Sequence, residues 1–289
     1  MRIASASYDI GFFASASFSD YEAKIRRWIT SATGAQLLLF PEYFSMELAS
    51  LFTPDVYGSL SRQLAAMQDL LPDFKSLFQK VADDQGVVIV AGSFPVAVTP
   101  TDYRNRSFLF RPGAAPDFQD KLLMTRFEKE EWKISPGHDI RIFNTDLGKI
   151  AINICYDSEF PIIARRQVEA GADLILVPSC TDTRAGYDRV RIGCQARALE
   201  NQCFVAQSCT VGEASWSPAV DLNTGAAAVF TPVDRGFPDN GVLAMGALNE
   251  PGWVFADVDL NDIERVRKEG QVFNYRDWPD QFRAAGPVE

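Results

Sequence analysis

The sequence predicts an α/β protein, on three observations. Short apolar runs alternate with stretches of helical periodicity. Of the 289 residues, 47% are hydrophobic and 23% charged, enough apolar material to fill a core without disulfides or a metal. One helix–glycine–strand unit also occurs twice. Residues 3–8 read as the first strand. Ser19 followed by Glu22 offers a capping box for a helix that carries Ile25, Trp28 and Ile29 and stops near Gly34. Residues 37–40 form a buried strand that ends at Pro41-Glu42. A long helical stretch over 61–85 meets Gly86 and leads into a strand over 87–91. Residues 108–110 and 140–143 are shorter strand candidates. The run 150–154 ends abruptly at Cys155-Tyr156-Asp157, and Pro161 suits the first turn of a helix running to Ala170. The repeated unit pairs residues 34–41 with 171–178: a C-cap glycine, a tight turn, then a strand closed by proline. It predicts two similar αβ halves within one domain spanning 1–289, the last stretch, 270–289, being an extension.

Charge and residue counts narrow the function. With 28 Lys and Arg against 38 Asp and Glu, the net charge is −10, a sign that repels phosphate backbones and anionic lipid, so no nucleic-acid or membrane partner is expected. No apolar run reaches the length of a membrane span. The N-terminus lacks a long apolar segment of the signal-peptide kind, so a soluble cytoplasmic protein is expected. The five cysteines contain no CxxC pair, which argues against a disulfide framework or a structural zinc site. The single histidine, His138, sits in the turn-like Pro136-Gly137-His138-Asp139. Proton chemistry therefore falls to carboxylates or lysine. No glycine-rich phosphate loop is present, so a nucleotide cofactor has no support, and with one histidine and no CxxC pair no cofactor and no metal are expected.

Reactive residue types stand where strands end: Glu42, Lys121 and Cys155. Ligands bind at the carboxyl ends of strands in open α/β sheets. Taken singly, a cysteine after an apolar strand is an ordinary small core residue, and a lone Glu or Lys is ordinarily solvated. With its flanking residues the set says more. Phe40-Pro41-Glu42, the Lys121 segment, the stretch from Gly148 to Asp157 with Phe160-Pro161, Arg197-Ala198-Leu199-Glu200-Asn201-Gln202 and Ala256-Asp257-Val258-Asp259-Leu260 together resemble the nitrilase superfamily of carbon–nitrogen hydrolases. The resemblance covers residues 2–267. It implies a four-layer αββα sandwich with a Glu-Lys-Cys triad: Glu42 as general base, Lys121 as cationic partner of the oxyanion and Cys155 as nucleophile. The backbone N–H of Tyr156 would be the second oxyanion donor. A second glutamate precedes a Pro-Gly turn in many relatives. Counting back six from Pro136 selects Glu130, with Glu131 and Glu128 left open.

The resemblance implies a cysteine-dependent hydrolase of a small amide or N-carbamoyl amine that proceeds through an acyl-cysteine. A nitrilase, an N-acyltransferase and a non-catalytic member of the fold remain alternatives. Where relatives that bind carboxylates often carry an arginine, this chain has Ser158 and Glu159. An anionic side chain there, reinforced by Asp182, would favour a cationic or neutral substrate, unless Glu159 pairs with Arg165 or Arg184. Trp132 and Phe160 are candidates for the pocket wall, alongside Tyr43, Phe44, Tyr156, Tyr187 and Trp216. Gly225-Ala226-Ala227 departs from the Gly-x-Ser that relatives often carry. Relatives commonly assemble as dimers or larger homo-oligomers, and Phe273, Tyr275, Trp278 and Phe282 give residues 270–289 enough aromatic surface to pack on the body or on a neighbouring subunit.

Overall fold

The computed structural model describes residues 1–13 and 17–286. Its centre is strand Arg2–Asp9, which lies parallel to Leu37–Phe40, itself parallel to Val88–Ala91. Beyond these the hairpin Phe94–Thr99 and Asp102–Phe110 closes the first half in antiparallel pairing. The second half repeats the plan: Phe204–Glu213, Leu174–Ser179 and Gly148–Ile152 run parallel, with Ile142–Thr145 antiparallel at the edge. Among the described residues the halves share only Ser7–Asp9 paired with Cys209–Val211. Along Arg2–Ser7 the central strand turns instead to Gly252–Asp257, and Val205–Gln207 turns to Ala228–Phe230. Joined at one end only, the two sheets diverge and face each other.

Alternation along the strands fixes the layers, because successive side chains leave opposite faces of a sheet. Leu38, Phe40, Ile89 and Phe110 pack with Ile25 and Ile29 of helix Phe18–Ser31 and with Phe74 and Phe78 of helix Leu71–Gln85. Their neighbours Leu37, Leu39, Val88, Val90 and Leu109 belong to a second cluster with Ile150, Ile152, Leu174 and Leu176. Helices Pro161–Glu169 and Arg184–Asn201 cover that second sheet through Ala164, Val168, Val190 and Cys194. The order is helix, sheet, sheet, helix: the expected four-layer αββα sandwich, with two similar halves.

Several expectations change in detail. The first helix is boxed by Ser17 and Asp20, whose carboxylate accepts the Ser17 N–H at 2.8 Å; Glu22 instead pairs with Arg26. The stretch 61–85 is not one helix. Leu60–Met67 and Leu71–Gln85 are separated by a tight turn at Gln68–Leu70, because Pro72 has no N–H to give a helix passing through it. Strand Asp102–Phe110 is far longer than 108–110. Pro178 does not end its strand: it pairs with Ser208, beyond the last residue matched to Gly148–Ile152, where no ladder N–H is needed on that side. In the C-terminal stretch Tyr275 packs on the body, with Arg165 and Arg267 over its ring at 4.8 and 4.4 Å, while Phe282 stays 69% exposed. Residues 287–289 lie outside the described residues. Among the described residues no helix is long and apolar enough to cross a membrane.

The parallel strands of both halves bring their carboxyl ends to one edge. Glu42 follows Leu37–Phe40, Cys155 follows Gly148–Ile152, and Cys180 follows Leu174–Ser179. Gly92 holds the first of these loops in place. Its φ is +48°, and a Cβ there would sit 1.9 Å from the Pro41 carbonyl oxygen and 2.6 Å from the Phe44 ring. Gly92→Ala therefore destabilises the fold by more than about 1 kcal/mol, read as a lower urea midpoint; an unchanged midpoint contradicts this packing.

Candidate active site

The Lys121 side chain is buried, and its ammonium lies between two carboxylates. Nζ donates to Glu42 Oε1 at 2.8 Å and to Glu128 Oε2 at 2.7 Å. Around them, Asn105 Nδ2 donates to Glu42 Oε1 at 2.8 Å, the Cys180 N–H to Glu42 Oε2 at 3.0 Å, and the Tyr43 hydroxyl to Glu128 Oε1 at 2.8 Å. The Cys155 thiol lies beside Glu42 and Lys121. Its sulfur is 3.7 Å from the Cys180 carbonyl oxygen and 3.6 Å from the Ser179 hydroxyl.

Local backbone geometry aims these groups. Cys155 has φ +48° and Tyr43 φ +56°, conformations that cost non-glycine residues roughly 1–3 kcal/mol each and persist only where surroundings enforce them. At Cys155 the enforcement comes from the tight turn Cys155–Glu159: Ser158 Oγ donates to the Cys155 carbonyl at 2.7 Å, and Arg197 Nη1 to the Ser158 carbonyl at 3.0 Å. Tyr156 is the second residue of that turn. It lines the same cavity as Cys155, and the first N–H groups of a helical turn have no acceptor within it. Lys121 is fixed by its own backbone, whose N–H donates to the Asn105 carbonyl at 2.9 Å and whose carbonyl accepts from Gly137 at 2.7 Å.

Three charged groups and a thiol share little water, so their protons are set by one another. Burial raises the Glu42 carboxyl above its ordinary range and the Glu128 charge adds to this, against the pull of Lys121. Burial pushes on Glu128 too, but the Lys121 ammonium with hydrogen bonds from Lys121, the Thr125 N–H and Tyr43 overcomes it, and Glu128 stays below its ordinary range. Desolvation disfavours the Lys121 ammonium; Glu128, Glu42 and Cys155 more than restore it. Burial, then the Glu42 charge, holds the Cys155 thiol well above its usual value despite Lys121. The resting arrangement is a neutral thiol beside a carboxylate able to receive its proton.

The structure therefore corrects the second glutamate: Glu128, not Glu130, meets Lys121. Glu130 is 57% exposed and pairs with Arg126 on the surface. Residues Glu128–Trp132 form a π-type turn, which takes up more chain than an α-turn and shifts a count made back from Pro136. Sequence offered another signal. Thr125-x-x-Glu128 is a capping-box pattern, and here the Thr125 N–H and hydroxyl both donate to Glu128 Oε2 at 2.9 Å. Asn105 and Asp157 were also missed, since buried polar partners inside a strand and a turn carry no local mark.

A cavity of about 400 Å³ opens on this cluster. Trp132 lines it, its ring 4.6 Å from that of Tyr43, as do Tyr156, Glu159 and Asp182. Phe160 does not; it stands edge-on to Tyr156 at 4.9 Å. Glu159 pairs with Arg189 at 3.7 Å, not with Arg165 or Arg184, which bond Glu169 and Asp188. Asp221, unforeseen, joins Asp182 in the wall, and neither is ion-paired among the described residues. His138 is exposed in its loop. Among the described residues no group of His, Cys, Asp or Glu is arranged to hold a metal. At the departure from Gly-x-Ser, the Ala227 N–H bonds Ser7 Oγ at 2.9 Å.

A fold of this layering with a Glu-Lys-Cys cluster at the strand ends is that of the nitrilase superfamily, and the chain belongs to it: the sequence profile described as "Carbon-nitrogen hydrolase" matches residues 2–268. The probable hydrolase YhcX of Bacillus subtilis (strain 168) is 36% identical over 263 residues, covering 90% of this chain and 50% of that protein, so the chain spans about half the length of this relative. An omega-amidase of Xenopus laevis is 24% identical over 245 residues, covering 82% of this chain and 81% of its own. Among solved structures, Saccharomyces cerevisiae Nit3, of branch 10 of the nitrilase superfamily, superposes with TM-score 0.70 at 20% identity over 93% of both chains. A mutant amidase from Nesterenkonia sp. AN1, with the acetamide moiety of fluoroacetamide on its active-site cysteine, gives 0.72 at 20% identity over 99% of this chain and 97% of that one.

The proton accounting generates a test. The Glu128 charge helps raise Glu42, so neutralising it lets Glu42 ionise at lower pH. In Glu128→Gln the acid limb of iodoacetamide alkylation at Cys155, followed by mass spectrometry, moves to lower pH than in the wild type. A limb that stays put or moves upward contradicts the assignment.

Proposed function

We propose that the chain is a cysteine-dependent hydrolase that cleaves the C–N bond of a small amide or N-carbamoyl amine. The observation that carries this reading is the buried Lys121 ammonium held by Glu42 and Glu128 beside the Cys155 thiol. Glu42 takes the thiol proton as sulfur attacks the carbonyl carbon, and the oxyanion forms against Lys121 and the Tyr156 N–H. Glu42 returns the proton to the departing ammonia or amine, leaving an acyl-cysteine. It then removes a proton from water attacking the thioester, and the acid leaves as Cys155 regains its proton. A carboxyl raised above its ordinary range suits this two-way traffic. Glu128, kept ionised, holds the ammonium in place throughout.

The cavity wall supports a substrate of neutral or cationic tail. Glu159 is offset by Arg189, but Asp182 and Asp221 set two negative charges in the wall against the one positive charge of Arg126. A substrate carboxylate would meet that charge, whereas an ammonium would be drawn to it.

Released ammonia measured against a panel of amides, ureido compounds and nitriles tests the reaction, with Cys155→Ala reduced to background on any substrate turned over. Lys121→Ala loses roughly 10²–10³ in kcat, the usual cost of one oxyanion donor. Cleavage that survives Cys155→Ala sinks the reading. Among amides of equal length, those bearing an amine are turned over faster than those bearing a carboxylate; the reverse order contradicts the charge assignment.

A further inference from the structure

We propose that Asp157 is a positioning residue whose carboxylate locks the Cys155 turn to the Lys121 segment and so sets how sulfur and ammonium face each other. The two segments come from different parts of the chain. Asp157 stands two residues after Cys155, is buried, and reaches across to the backbone just past Lys121. The Leu122 N–H donates to both of its oxygens at 3.2 and 3.1 Å, and the Leu123 N–H donates to Oδ1 at 2.8 Å. On its own side, the Ile154 N–H donates to Oδ2 at 3.3 Å. One carboxylate thus gathers backbone donors from the residue before Cys155 and the two residues after Lys121.

The chemistry of the side chain matters here, not only its shape. Three N–H groups point at Asp157, and a carboxylate meets all of them because it is acceptor-only when ionised. An asparagine of the same size would turn an NH₂ toward at least one donor. Burial pushes the carboxyl up to about 7, opposed by the Lys121 charge and these backbone bonds. The fold therefore bears a buried acid where an apolar side chain would cost nothing in desolvation. What the acid supplies is registry between two loops, one holding Cys155 at φ +48°. The lysine side of the joint is itself anchored, by the Lys121 N–H to Asn105 and the Gly137 N–H to the Lys121 carbonyl at 2.9 and 2.7 Å. The cysteine turn is tied to a fixed point.

The inference rests on the proposed role of Cys155 and Lys121, but its readouts stand whether or not that turnover exists. In Asp157→Asn, iodoacetamide alkylation of Cys155 slows roughly 10- to 100-fold, the scale expected when a reacting pair is misplaced by about an ångström. Alkylation of Cys180, in the same cavity, keeps its wild-type rate, and thermal unfolding stays cooperative. On any substrate found, kcat falls while KM holds. Equal slowing at both cysteines, or wild-type reactivity at Cys155, overturns the proposal. Should the variant not fold, hydrogen exchange on the wild type decides: Leu122 and Leu123 amides protected like those of the buried strands support the lock, and exchange at the rate of an open loop refutes it.

Discussion

One ammonium shared by two buried carboxylates is the interaction on which the site depends. With the thiol protonated, Lys121, Glu42 and Glu128 carry one positive and two negative charges in a space with little water. Removing one partner from a buried pair leaves the other uncompensated, commonly at about 3–5 kcal/mol, so each group holds the others in place. The pairing is also unequal. Glu128 has Thr125, Tyr43 and Lys121 as donors and keeps its charge. Glu42 is the carboxylate pushed toward protonation, and it is the one beside sulfur. Proton transfer needs that asymmetry; two equivalent carboxylates would compete for the same role.

The fold supplies this cluster through topology. Two sheets joined through three residue pairs at one end diverge, bury their facing sides, and bring the carboxyl ends of parallel strands from both halves to one edge. Each half then contributes a loop: the first brings Glu42, the second Cys155. The lysine comes from the end of Asp117–Asp120, which pairs with the long hairpin strand that also carries Asn105. No single element holds the site, so the joints between loops, at Gly92, Gly137 and Asp157, matter as much as the reactive groups.

Much of this was legible in the sequence, for physical reasons. Buried parallel strands read as near-continuous apolar runs, which is why 37–40 and 150–154, the latter with one Asn, stand out. The glycines at 34 and 171 mark left-handed turns, with φ +80° and +100°, and so announced the paired halves. Glu42, Lys121 and Cys155 stand at strand ends, where singly each reads as ordinary; their flanking residues, and the resemblance to the nitrilase superfamily that these carry, marked them as a set. Glu130 was chosen in place of Glu128 because counting along a chain assumes a regular turn, and the π-type turn there is irregular. The partners Asn105 and Asp157 were invisible for another reason: they act through contacts across the fold, 63 residues apart for Asn105 and Glu42. Over 61–85 the helical periodicity runs on through Pro72, but the helix does not, since that proline breaks it into Leu60–Met67 and Leu71–Gln85.

The unequal protonation of the two glutamates is open to direct measurement by infrared difference titration of the carboxyl bands, comparing the wild type with Glu42→Gln and Glu128→Gln. The account predicts, apart from the raised Asp157 carboxyl common to all three proteins, a carboxyl that gains its proton above the ordinary glutamate range, whose band vanishes in Glu42→Gln but persists, shifted to lower pH, in Glu128→Gln. A band that belongs to Glu128 instead, or two carboxyls titrating together in the ordinary range, would contradict it.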